Sequence, residues 1–180
     1  LGEIQDPVAV KPLIDLWDNE KFNLEFDDGY QNVIVALQKI GTPALQSVLS
    51  YLEEQKKRNN KDGIIYALLT LSGIKDEQSY VALTESLSFP DGEVQDFALE
   101  SLVYFGDERA SKHIAKLFED PEWAEYGDLL KNSIRLLTEP NEYRKILLEH
   151  RLVGLQRMKS FKEREDMFTR QMTYAYEFEK

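Results

Sequence analysis

Asp-Gly steps at 28–29, 62–63 and 91–92 each precede an apolar run, the place where a calcium loop would sit. An EF-hand loop needs oxygen ligands at loop positions 1, 3 and 5, glycine at 6 and glutamate at 12, because calcium takes hard oxygen donors. With Gly29 at position 6, Leu24 and Phe26 fall at positions 1 and 3; with Gly92, Leu87 and Phe89 do; with Gly63, Arg58 falls at 1 and Leu69 at 12. The steps therefore read as turns whose Asp caps the following helix. His113 and His150 are the only imidazoles, and no His-Glu-x-x-His spacing joins them. The chain has no cysteine, which excludes a thiolate zinc site, a cysteine nucleophile and a disulfide framework. Gly-x-Ser-x-Gly, a Gly-rich phosphate loop and Gly-x-Gly-x-x-Gly are absent as well. Carboxylates abound, but a pair poised for acid and base work is defined by burial, which spacing does not specify. The expectation is a chain without metal, cofactor or enzymatic activity.

Charge narrows the partners. The 180 residues carry 33 Asp and Glu against 22 Lys and Arg, a net of −11, and residues 1–119 account for −10 of it. Such a field repels phosphate backbones and anionic lipid, so no DNA is expected on this part, including the basic groove a DNA glycosylase needs. No apolar run approaches the ~20 residues that span a bilayer, and no signal-peptide pattern opens the chain. No membrane is expected, and a reducing, cytoplasmic setting is the default without cysteine. One stretch runs the other way: Arg144 to Arg164 holds seven basic residues and two acidic ones. It is also amphipathic through Ile146, Leu147, Leu152, Val153, Leu155, Met158 and Phe161, and Phe168, Met172 and Tyr176 follow at i, i+4, i+8. It reads as a terminal helix capping the body, or as a basic docking helix for an acidic protein or RNA through Arg151, Arg157 and Lys159.

Internal repetition supplies the elements. Asp6–Trp17, Gly41–Leu52, Asp76–Leu87 and Asp107–Phe118 lie over one another, with Leu13, Val48, Leu83 and Ile114 in one column. Trp17, Leu52, Leu87 and Phe118 form a second column four residues on, and the column spacings are 35, 35 and 31. A fainter copy from Glu139 to Leu148 puts Ile146 in the first column, 32 residues further. Between the copies lie second helical runs: Val33, Ile34, Leu37, Ile40; Ile64, Ile65, Leu68, Leu71; Val94, Ala98, Leu102, Phe105; and Leu130, Ile134, Leu137. Each repeat is a helical hairpin, and no strand alternation occurs. Gly41, Gly73 and Gly106 stand where a left-handed cap would end the first helix, and Pro7, Pro43 and Pro140 where a missing N–H costs nothing at the start of the second. Paired helices of this length cannot bury their apolar faces alone, so stacking follows.

Leu1-Gly2-Glu3-Ile4-Gln5-Asp6-Pro7-Val8-Ala9-Val10-Lys11-Pro12-Leu13-Ile14-Asp15-Leu16 resembles the second half of a HEAT-like repeat of the short bacterial, phycobilin-lyase-like type. Pro90-Asp91-Gly92-Glu93-Val94-Gln95, running through Ala98 and Leu102 to Gly106-Asp107, resembles the first half and its exit. The resemblance covers residues 1–150. It implies an all-α, right-handed α-solenoid of about five HEAT-like hairpins, with residues 151–180 as a C-terminal helical cap or tail. Members usually carry an arginine after the Val that opens the first helix, paired with the Asp of the turn; Gln95 stands there in the third copy, so Asp6, Asp76 and Asp107 are expected to cap helices. Members that act as di-iron hydroxylases carry repeated His-Glu pairs with histidine first, whereas His150 follows Glu149. The chain begins inside a repeat, so the first second-helix is expected to need cover from upstream sequence or from self-association with a second chain.

In such arrays the second helices line the concave side. By resemblance Lys11, Gln46 and Lys112, and one turn later Asp15, Ser50, Glu85 and Lys116, would floor a groove, with Val81 completing the first row. Their mixed chemistry suits a protein partner better than repetitive phosphate. The expected function is a non-enzymatic protein-binding scaffold or adaptor. The alternatives are a bilin-lyase-like enzyme holding a linear tetrapyrrole near Tyr30, Tyr66, Tyr104 and Lys39, and an RNA- or ribosome-associated module using the basic C-terminal helix.

Overall fold

A computed structural model of the chain describes residues 6–19 and 29–139. All regular structure among these residues is helical. Two compact units divide the chain, Leu1–Phe105 and Gly106–Lys180.

The first unit holds α1 (Val10–Trp17), α2 (Gly29–Ile40), α3 (Leu45–Arg58), α4 (Lys61–Gly73), α5 (Glu77–Ser86) and α6 (Gly92–Phe105). They form two layers, in which α1 packs on α3 and α3 on α5, while α2 packs on α4 and α4 on α6. The layers are joined by α1 against α2, α3 against α4, α4 against α5, and α5 against α6. The first apolar column supplies one side of this interface, since Leu13, Val48 and Leu83 are all buried. Four neighbours surround α4, and its residues are buried without a break from Gly63 to Ser72. Its sequence allows this, because the run is apolar on all sides and its two interior hydroxyls bond backwards. Thr70 Oγ1 donates to the Tyr66 carbonyl at 2.8 Å and Ser72 Oγ to the Leu69 carbonyl at 2.6 Å.

The stripe expected to seek outside cover is already buried: Val10, Leu13, Ile14 and Trp17 of α1 are enclosed, with α1 packed on both α2 and α3. Among the large apolar residues described at this end, Val8 is the exposed one.

Asp6 caps the 3-10 turn Pro7–Ala9 and Asp76 caps α5, whereas Asp107 bonds in the turn before Ala110–Lys116, a helix whose N-cap, Arg109, makes no side-chain cap bond. Asp6, Asp76 and Asp107 each accept from the backbone N–H two residues on, of Val8, Gln78 and Arg109, at 2.9 Å in all three cases. Asp91 accepts from Val94 N–H at 3.1 Å, as its Asp-Gly step predicts. Asp62 departs from that expectation: Asn60 caps α4, leaving Asp62 inside the first turn, where its charge suits the helix dipole. Asp28 lies outside the described residues. Pro7 and Pro43 sit in short 3-10 turns, Pro7–Ala9 and Thr42–Ala44, that lead into α1 and α3.

The glycine expectation holds in two places and fails in one. Gly41 and Gly106 have φ of +75° and +77°, a backbone region that side chains resist. Gly73 ends α4 without a positive φ, and its role is space: a Cβ there would collide with the Gln38 side chain.

Two lysines tie α4 to α6. Lys61 pairs with Glu93 at the N-terminal ends, and this contact holds the Lys61 ammonium above its ordinary value. Past the C-terminal end, Lys75 Nζ donates to the carbonyls of Ser72 (3.2 Å), Tyr104 (3.1 Å) and Phe105 (2.6 Å). It thereby serves last-turn carbonyls of both helices, where their dipoles are negative.

In the second unit the described residues form α7 (Ala110–Lys116), 3-10 turns at Leu117–Glu119 and Pro121–Tyr126, and α8 (Gly127–Thr138). Helix α7 packs on α8 around Ile114, Trp123, Leu130 and Leu137. The second apolar column breaks here. Phe118 is 44% exposed, and Leu117 is buried in its stead. The cause is the tightening of α7 into a 3-10 turn at Leu117, which rotates each later side chain further about the axis than an α-helix does.

Candidate protein-binding surface

Lys11 and Asp15 stand one turn apart on α1 and pair, with Lys11 Nζ 2.9 Å from Asp15 Oδ1 and 3.2 Å from Oδ2. Gln46 and Ser50 are likewise one turn apart on α3, where Ser50 Oγ donates to the Gln46 carbonyl at 2.8 Å. Because α1 packs on α3, the two pairs meet across one open cleft of about 380 Å³. Gln46 Nε2 also donates to Gln78 Oε1 of α5 at 3.0 Å, so the polar row continues onto the next helix of the layer. Glu85 is exposed on that helix, as is Val81. Lys112 and Lys116 are exposed on α7 of the second unit. Arg151, Arg157 and Lys159 lie outside the described residues.

Five further residues line the cleft: Ile14, Asp18, Ser47, Tyr51 and Glu54. Their signal was present in the sequence. Asp18 prolongs the Lys11–Asp15 face by three residues, and Glu54 continues the Gln46–Ser50 face by four. Tyr51 is buried, and its hydroxyl donates to Asp18 Oδ1 at 3.1 Å. Burial, then the Asp18 carboxylate, push the Tyr51 phenol far above its ordinary value, so it stays a neutral donor. Glu54 pairs with Arg58 one turn on.

Behind the cleft four rings pack together. Trp17 lies 5.1 Å from Tyr51 and 6.0 Å from Tyr66, and Tyr66 stacks on Tyr30 at 4.9 Å. Trp17 Nε1 donates to the Tyr30 carbonyl at 3.4 Å. The Tyr66 phenol is pushed up to about 12 by burial and by the Asp62 carboxylate. Trp17, Tyr51 and Tyr66 are each at most 9% exposed, so this cluster serves as core. Of the tyrosines considered for a pigment, Tyr30 and Tyr66 stack on each other, whereas Tyr104 is on α6, near the far end of α4, its ring centroid 5.5 Å from Lys75 Nζ. Among the described residues no group of three or more His, Asp or Glu is placed to hold a metal ion. Nor is any helix among them long and apolar enough to cross a membrane.

The chain matches no family model, no curated protein and no solved structure.

Proposed function

We propose that the chain is a non-enzymatic scaffold of HEAT-like helical hairpins, a right-handed α-solenoid that holds a protein partner along the face carried by α1, α3 and α5. The observation that carries this reading is the continuity of the polar row: Lys11, Asp15, Gln46, Ser50 and Glu85 are all exposed on successive helices of one layer, with buried columns behind them. A row of varied donors, acceptors and charges over a rigid apolar base is what recognition of a protein surface uses. Its groups bond to one another, as Lys11 does to Asp15 and Gln46 to Gln78, and no nucleophile and base stand together in it. The cytoplasm is the proposed setting, where a chain without cysteine loses nothing to reduction.

The test is affinity capture from the native cell with the wild-type chain and with a K11E, D15K, E85K variant. Proteins bound by the wild type are expected to be lost from the variant. If every one of them stays bound, the assignment of this face is wrong.

A further inference from the structure

We infer, resting on the binding face proposed above, that the cleft between α1 and α3 receives a lysine or arginine side chain from a basic segment of the partner protein. Charge complementarity commits the site to this occupant. Three carboxylates line the cleft, Asp15, Asp18 and Glu54, against the single ammonium of Lys11. Lys11 spends its charge on both oxygens of Asp15, and its side chain is 83% exposed, so it stands at the rim. Glu54 has Arg58 beside it. Asp18 is different: its hydrogen-bond partner among the described residues is the neutral Tyr51 hydroxyl, and no lysine or arginine among them forms an ion pair with it.

The base of the cleft fits the rest of such a side chain. Ile14 and the Tyr51 ring are apolar, and a lysine or arginine stem lies along apolar surface while its head keeps polar company. Gln46, Ser47 and Ser50 provide side-chain oxygens along the α3 wall. An anionic side chain would face three carboxylates, and an apolar one would strip water from Asp18 and return nothing to it. The −10 balance of residues 1–119 acts in the same sense at longer range, drawing a cationic segment in and repelling an acidic one.

The test uses the full chain and three acetylated, amidated glycine-spaced peptides bearing arginine, lysine or glutamate, with binding followed through backbone amide resonances. The arginine and lysine peptides are expected to shift resonances of α1 and α3, with an affinity that falls as salt rises, and the glutamate peptide to shift none. D18N together with E54Q is expected to weaken the cationic peptides about tenfold or more, while D18N leaves Tyr51 an amide oxygen to bond. K11M is expected to tighten them, because it releases Asp15. Unchanged affinity in D18N/E54Q, equal binding of the glutamate peptide, or shifts confined to other helices overturns the inference. Peptide binding that appears only after R151E, R157E and K159E would make the chain's own basic stretch the occupant, and overturns it too. If capture of a partner still depends on Lys11 and Asp15 while the peptides show no preference for charge, the binding face stands and its cation specificity falls.

Discussion

The Gln38 side chain lies flat across Gly73, 35 residues away in sequence, and its Nε2 donates to the Leu69 carbonyl at 2.7 Å. The glycine is the notch that lets α2 approach α4, and Gln55 lies over Gly63 in the same way near the other end of α4. Gly73→Ala displaces Gln38 and breaks its bond to Leu69, a loss of about 1 kcal/mol net of the alanine's better helix propensity. In a Q38A background the same change is expected to stabilise instead, by up to about 1 kcal/mol. A denaturant double-mutant cycle reads the reversal of sign, and additive effects would refute the notch.

Lys75 joins two helix ends through one ammonium group. Lys75→Met keeps an unbranched stem of similar length but leaves the carbonyls of Ser72, Tyr104 and Phe105 without this donor. The expected cost is about 1 kcal/mol, with faster amide exchange in the last turns of α4 and α6. Lys61→Met, which removes an exposed pair at the opposite ends, is expected to alter neither turn.

Asp76→Ala removes the cap of α5 and is expected to cost about 1 kcal/mol in chemical denaturation. Asp107 adds a pH signature. The hydrogen bond from the Arg109 side chain holds its carboxyl below the usual range, with the Arg109 backbone N–H acting in the same sense. A depressed carboxylate contributes its stability in full above the unfolded value of about 3.9 and loses it as pH falls through the folded value. Stability curves of wild type and D107N should therefore diverge near neutrality and converge in acid.

Tyr66 supplies the alkaline counterpart. Its phenol is raised from 10.0 to about 12, so between these values the unfolded chain gives up a proton that the folded chain keeps. Stability is full below pH 10 and declines across the window, by on the order of 1 kcal/mol per pH unit for this group. Y66F should make that part of the profile shallower, leaving the decline that the raised Tyr51 phenol contributes, and tyrosinate absorbance should rise together with unfolding in the wild type.

Much of this was legible in residue order. The buried columns through Leu13, Val48 and Leu83, the second-helix prolines and the Asp caps all depend on neighbours within four residues, which spacing reports directly. Lys11, Asp15, Gln46 and Ser50 could be placed on exposed faces for the same reason. Phe118 misled because a change from α-helix to 3-10 turn alters the angle per residue, and no residue type at that point announces it.

The sequence by itself indicated the helices, several of their caps and the buried columns through Leu13, Val48 and Leu83. Tertiary structure alone decided which side chains face one another. Tyr51 bonds Asp18 over 33 residues, Lys75 bonds Phe105 over 30, and Gln38 bonds Leu69 over 31. The separations lie close to the 31–35 residue spacing of the apolar columns, so that spacing announced the distance along the chain at which partners lie. It could not name them, because a partner is chosen by the rotation and offset of two packed helices, and a residue such as Asp18 gains its chemistry only from the helix set beside it.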